Sequence, residues 1–159
     1  MKLFIKNLLF TLIVPGTVAV YVPFLISSGE IQFSGVLGGI GIVFWATGVS
    51  IYSWCVWDFA THGSGTPAPI DAPKLLVSRG LYSLSRNPMY VAVVSMILGW
   101  GAAFASVNLL VYATVVAFAF HLRVVFHEEP HLRNVFGKDY DVYCARTNRW
   151  LPRFHKPAA

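Results

Sequence analysis

Four groups of side chains in this sequence have the types and spacing to do chemistry. The first is Gly80-Leu-Tyr-Ser-Leu-Ser-Arg-Asn-Pro-Met-Tyr90, where a basic loop runs straight into a long apolar segment. Asn87 followed by Pro88 reads as an N-cap residue and an N1 proline. A helix starting there turns its unpaired N–H groups and the positive end of its dipole toward the loop, a seat for a carboxylate or phosphate. The second group is Glu128-Glu129, adjacent carboxylates at a helix C-terminus, where the dipole opposes them. They read either as a solvated helix end or as the seat of a cationic group. The third is the basic and aromatic tail: Tyr140, Tyr143, Arg146, Arg149 and Trp150. Its default role is contact with lipid headgroups. Arg123, nearer the membrane boundary, snorkels, pairs with Glu128, or meets a ligand carboxylate. The fourth is His127-Glu-Glu-Pro-His131, which matches the H-E-x-x-H pattern of zinc peptidases. Pro130 opposes the continuous helix that this pattern needs, and the tail offers no third ligand, so we assign no metal.

Set side by side, the helix start and an arginine suit a carboxylate, a glutamate suits an ammonium, and the aromatic and apolar groups suit a flat ring. A zwitterionic amino acid joined to a nucleoside fits that set; several nucleotides or lipids fit it too.

These groups need elements to bring them together. The 159 residues make one domain, and 56% hydrophobic with only 12% charged residues is the composition of an all-α integral membrane protein. The apolar runs place membrane helices at about 8–26, 36–59, 88–104 and 109–126, the last two as a tight hairpin broken at Ala105-Ser-Val-Asn108. Pro15 and Gly16 should kink the first helix. The glycines of the second (Gly38, Gly39, Gly41, Gly48) favour close packing, within the chain or between two copies. The long loop 60–86 is turn-rich and reads as functional. Residues 128–143 form an amphipathic segment interrupted at Gly137. All twelve Lys and Arg lie before the first helix, in the 60–86 loop, or from Arg123 onward. The positive-inside rule therefore predicts four spans with both termini in the cytoplasm. Anionic inner-leaflet lipid accounts for the net charge of +5 without nucleic acid. Cys55 and Cys144 suggest no disulfide framework.

Gly80-x-Tyr82-x-x-x-Arg86-Asn-Pro-x-Tyr90, then Glu128-Glu129, then Phe136-Gly-x-x-Tyr140-x-x-Tyr143 and Arg149-Trp-x-Pro152 resemble the isoprenylcysteine carboxyl methyltransferase family. Phospholipid N-methyltransferases share much of this pattern. The resemblance covers about residues 74–152. It implies an integral membrane enzyme that transfers methyl groups from S-adenosylmethionine to a membrane-delivered acceptor: an isoprenylcysteine-type carboxylate, a phospholipid amine or a small thiol. Carried over by position, the cofactor contacts fall on Lys74, Leu75, Leu76, Val77, Tyr82, Arg86, Asn87, Pro88, Met89, Tyr90 and Glu128. Glu129 or Arg123 would orient the acceptor. The family usually has His where this chain has Asn87, and Asn cannot carry a proton. The family's substrate-side arginine aligns with Val124, with Arg123 one position displaced. Membrane reductases of the sterol type, which bind NADPH, and a non-catalytic membrane subunit are the alternative readings. The host membrane would be a bacterial inner membrane or the endoplasmic reticulum.

Overall fold

A computed structural model describes residue 11 and residues 13–27, 35–62 and 76–152. The first helix, α1, is described over Ile13–Ile26, α2 spans Gly35–His62, and α3 spans Pro88–Ala103. Helix α4 runs Val107–Phe136, and α5 spans Lys138–Arg146 beyond Gly137. Among the described residues there is no strand, only one isolated backbone bridge between Ser85 and Asn148. Helices α2 and α4 are long and apolar enough to cross a membrane; α1, as described, and α3 are apolar but shorter. Large apolar side chains stand exposed around them, Val43, Trp57 and Phe118 among them, as lipid contact requires and water does not favour.

The core is the α2–α3 seam, with α4 packed on the other side of α3. Glycine makes the seam possible. A β-carbon on Gly99 would lie 2.9 Å from the Gly41 carbonyl oxygen, and one on Gly48 would lie 2.7 Å from that of Ala92. At that spacing the two backbones touch, and the Ser95 hydroxyl donates across to the Phe44 carbonyl at 2.8 Å.

Helix α1 is helical through Pro15 and Gly16; the irregularity instead falls at Thr17–Tyr21, a π-turn closed by Val22 N–H on the Thr17 carbonyl. Pro23 explains it. Its ring presses on the carbonyl four residues back, and it has no N–H to give. The widened turn relieves the clash and leaves the Val18 and Ala19 carbonyls short of a donor. Neighbouring helices supply them: Tyr112 donates to Val18 at 3.1 Å and Trp100 to Ala19 at 2.9 Å.

The same device recurs in α4, and it corrects the reading of Pro130 as a helix break. Residues Val124–Glu128 form a second π-turn, closed by Glu129 N–H on the Val124 carbonyl, and the helix continues through Pro130 to Phe136. The hairpin between α3 and α4 closes with a Schellman arrangement: Ser106 N–H meets the Gly101 carbonyl at 2.9 Å and Ala105 N–H that of Ala102 at 3.2 Å. Ala105 takes the left-handed position, φ +47°, that glycine usually fills.

Candidate functional site

The loop 76–87, the C-terminal half of α4, and α5 with the residues after it meet at one end of the bundle. The loop is anchored first. Gly80 adopts φ +57°, and a β-carbon there would collide with the Asp58 carboxylate of α2. Beside it Val77 and Tyr82 pack with Cys55 into a small second core, and the Tyr82 ring meets Phe59 edge-on at 5.4 Å. Burial pushes the Tyr82 and Tyr143 phenols up, so both remain protonated. The Tyr143 hydroxyl donates to the Tyr82 carbonyl at 2.6 Å and pins α5 to the loop.

The two glutamates of α4 separate here. Glu128 faces the start of α3. It accepts from the Tyr90 hydroxyl and from Arg123 Nε, the latter at 2.9 Å, and Arg123 Nε also lies 3.1 Å from the Tyr90 hydroxyl. This cluster is partly open, with the Arg123 side chain 48% exposed and that of Glu128 29%. Glu129 turns the other way and is buried. Arg149 grips it in a fork, Nε to Oε1 at 2.6 Å and an Nη to Oε2 at 2.9 Å, while an Arg86 Nη lies 3.3 Å from Oε1. That carboxylate holds the Arg149 guanidinium above its usual range. Arg86 also donates to the Cys144 thiol at 2.6 Å, and its Nε is buried with no hydrogen-bond partner among the described residues.

Asn87 sits where a cap belongs, directly before Pro88, but its side chain does not cap α3. It donates instead to the Arg149 carbonyl at 3.1 Å, which also accepts from the Ser85 hydroxyl at 3.2 Å. With Arg86 N–H on the Asn148 carbonyl and Thr147 on that of Ser83, the irregular segment 147–150 becomes a strap across the loop. Among the described residues no side chain caps the N–H groups of the first turn of α3.

The strap ends at a groove. An apolar trough of about 470 Å³ opens between the helices, walled by Phe44 of α2, Val91, Val94 and Leu98 of α3, and Ala117 and Phe120 of α4. Its polar end is Tyr90, His121 and Trp150, with the Trp150 indole donating to His121 Nδ1 at 3.3 Å. Tyr90, its ring tilted against that of Phe120 with centroids 4.4 Å apart, belongs to both the groove and the Glu128 cluster. A second, open groove runs between the loop and α5, with Leu76, Tyr143 and Thr147 in its wall.

Of the residues expected at the site, Tyr90, Arg123 and Glu128 form one group and Arg86, Asn87 and Glu129 another. Pro88 is buried at the first turn of α3, and Met89 bridges the two cores. Val77 and Tyr82 are packed inward; Lys74 and Leu75 lie outside the described residues. Sequence reasoning missed His121, Phe120 and the strap residues Ser85 and Thr147. His121 had a signal, a polar residue inside an apolar helix; the others had none.

A family model described as phospholipid methyltransferase matches residues 37–139. Among curated proteins, the nickel-cobalt-cadmium resistance protein NccN of Alcaligenes xylosoxydans xylosoxydans is 38% identical over 80 residues, which are 49% of this chain and 36% of that protein. The chain thus matches about a third of that relative's length. No solved structure matches.

Proposed function

Because the chain belongs to the phospholipid methyltransferase family, we propose that it transfers a methyl group from S-adenosylmethionine to a lipid-like acceptor within the membrane. The observation that carries this reading is the apolar groove whose polar end shares Tyr90 with the Arg123–Glu128 cluster. A lipid tail would lie in the trough, with its head beside the charged groups. Unspent donors support the choice of methyl donor: the first turn of α3 has no side-chain cap, and Arg86 Nε is buried unpaired. Both would take the donor's carboxylate, Glu128 its ammonium, and the loop-side groove at Leu76 and Tyr143 its flat ring.

When bound, S-adenosylmethionine supplies a methyl group on a positively charged sulfur. The chain's own work is alignment and exclusion of water. Arg123 fixes Glu128 and orients the acceptor head, Tyr90 ties α3 to α4 at the reacting end, and the aromatic wall keeps the groove dry. A carboxylate acceptor needs no base; an amine or thiol loses its proton before or during attack. The loop, strap and both termini lie on the cytoplasmic side in this reading, with four helices in the membrane.

The test is transfer of radiolabelled methyl from S-adenosylmethionine to a total lipid extract by the purified protein in lipid nanodiscs. Label is expected in an organic-extractable product, with saturable binding of the methyl donor by calorimetry. Binding of NADPH in place of S-adenosylmethionine, with no label transferred, overturns the assignment in favour of a reductase.

A further inference from the structure

The walls of the groove are apolar apart from Ser95, whose hydroxyl is already given to the Phe44 carbonyl, so they can tell one lipid tail from another only weakly, through contact area. Discrimination between lipids therefore falls to its polar end. Three side chains stand there, and they differ in how they are held. Tyr90 is fixed by Glu128 and Arg123, and His121 rides on the continuous helix α4. Trp150 comes from the irregular segment after α5 and reaches the groove only because the strap carries it there. Among the described residues its side chain is tied by one hydrogen bond to His121 at 3.3 Å and a tilted contact with the same ring, whereas its chain neighbour Arg149 is clamped by the charge-assisted fork to Glu129.

We propose that Trp150 is the residue that sets the headgroup size accepted by the groove, and that Glu129, acting through Arg149, is the positioning residue that holds it there. This rests on the reading of the groove as a lipid site, though not on methyl transfer itself. It gives the two adjacent glutamates different tasks, Glu128 facing the donor end and Glu129 governing the acceptor mouth. It also explains why the loop spends Ser85, Arg86 and Asn87 on the strap: the residues nearest the donor seat fix the wall of the acceptor seat.

The experiment uses the full chain in nanodiscs and reads Trp150 alone, as the emission difference between the protein and its Trp150→Phe variant. The probes are phospholipids brominated near the head end of the tail, with either ethanolamine or choline heads. In the wild type the Trp150 contribution should be quenched at about tenfold lower mole fraction by one head than by the other, the scale at which a snug pocket separates near-isosteres. Arg149→Met, which leaves Glu129 paired with Arg86, should abolish that preference and shift the Trp150 emission to the red. Arg149→Lys, which keeps one charged contact, should restore part of it. Equal quenching by both heads in the wild type, or an unchanged preference in Arg149→Met, overturns the proposal. Turnover plays no part in the readout, so a protein that shows the preference yet transfers no methyl leaves Trp150 in place and removes the methyltransferase reading instead.

Discussion

Glu128 and Glu129 share one chemistry and one helix, and their surroundings should give them opposite mutational signatures. Glu129 is 11% exposed and answers two guanidinium groups. Glu129→Gln leaves Arg149 and the mostly buried Arg86 without their counter-charge, and removing one partner of a buried pair costs about 3 kcal/mol. Thermal unfolding in detergent should show that loss. Glu128 is more open, and its pair with Arg123 sits in the range where exposed ion pairs contribute about 1 kcal/mol or less. Glu128→Gln should therefore unfold close to the wild type while binding S-adenosylmethionine about tenfold or more weakly, the loss of one charge-assisted contact. Calorimetric titration of the two variants checks the division. Equal affinity in Glu128→Gln removes that residue from the donor site. The chemistry of the acidic pair was legible from the sequence, and the resemblance already gave the two glutamates separate tasks, but the partners of Glu129, Arg149 and Arg86, were not. Each glutamate's assignment depends on which way the helix has turned by that point, and on Arg149, twenty residues downstream.

At the scale of elements, the proline-linked π-turns and the hairpin cap make separable predictions. Trp100 supplies the donor that Pro23 withholds from the Ala19 carbonyl. Trp100→Phe keeps the ring, which also stacks on Phe104 at 5.6 Å, and strands a buried acceptor. It should lower stability by about 1–3 kcal/mol, measured by unfolding in detergent. Ala105, at φ +47°, runs the other way. Ala105→Gly relieves a left-handed alanine in the α3–α4 turn and should stabilise the chain by up to about 1 kcal/mol, seen as a raised Tm. The helices themselves were plain in the sequence, because long uncharged apolar runs leave a membrane chain little choice but helix. The ends were less so. Pro130 reads locally as a break, and only the spacing of i→i+5 bonds shows how a helix passes through it. Ser and Asn interrupt the apolar run at Ala105–Asn108, where the sequence expects the turn; the turn itself lies at Phe104–Ser106, and Val107 and Asn108 already belong to α4.

At the scale of the whole molecule, the α2–α3 seam decides whether the site is assembled, since α2 anchors the loop and α3 presents Tyr90. Gly99→Val would drive a side chain into the backbone of Gly41 and Trp45 and should cost about 1–3 kcal/mol or more. Gly39, where an added β-carbon meets nothing within 4 Å, is the matched control. Gly39→Val should unfold within about 0.5 kcal/mol of the wild type. The sequence left open whether these glycines serve packing within the chain or between copies; Gly41 and Gly48 are spent within it. The candidate site was only half legible for a related reason. Its motif residues announce themselves by type, but Asn87 meets Arg149 and Tyr143 meets Tyr82 across about sixty residues. Nothing local in a sequence encodes a partner that far away. Asn87 looked like a cap because its neighbours Pro88 and Met89 start a helix, and its amide was claimed by the strap instead.

The turn at Val124–Glu128 amounts to one residue of slack wound into α4. Wound as ordinary α-helix instead, that residue would rotate everything after it by roughly 100° relative to what came before. Which glutamate looks toward Tyr90 and which toward Arg149 is thus a matter of phase, fixed by how the segment between Arg123 and Pro130 winds. Deleting Val125 would take out the slack and leave both carboxylates close to their present aim, whereas winding all five residues as ordinary α-helix would aim both elsewhere. Two chains can carry the same letters here and, one residue out of step, hold them up to different neighbours.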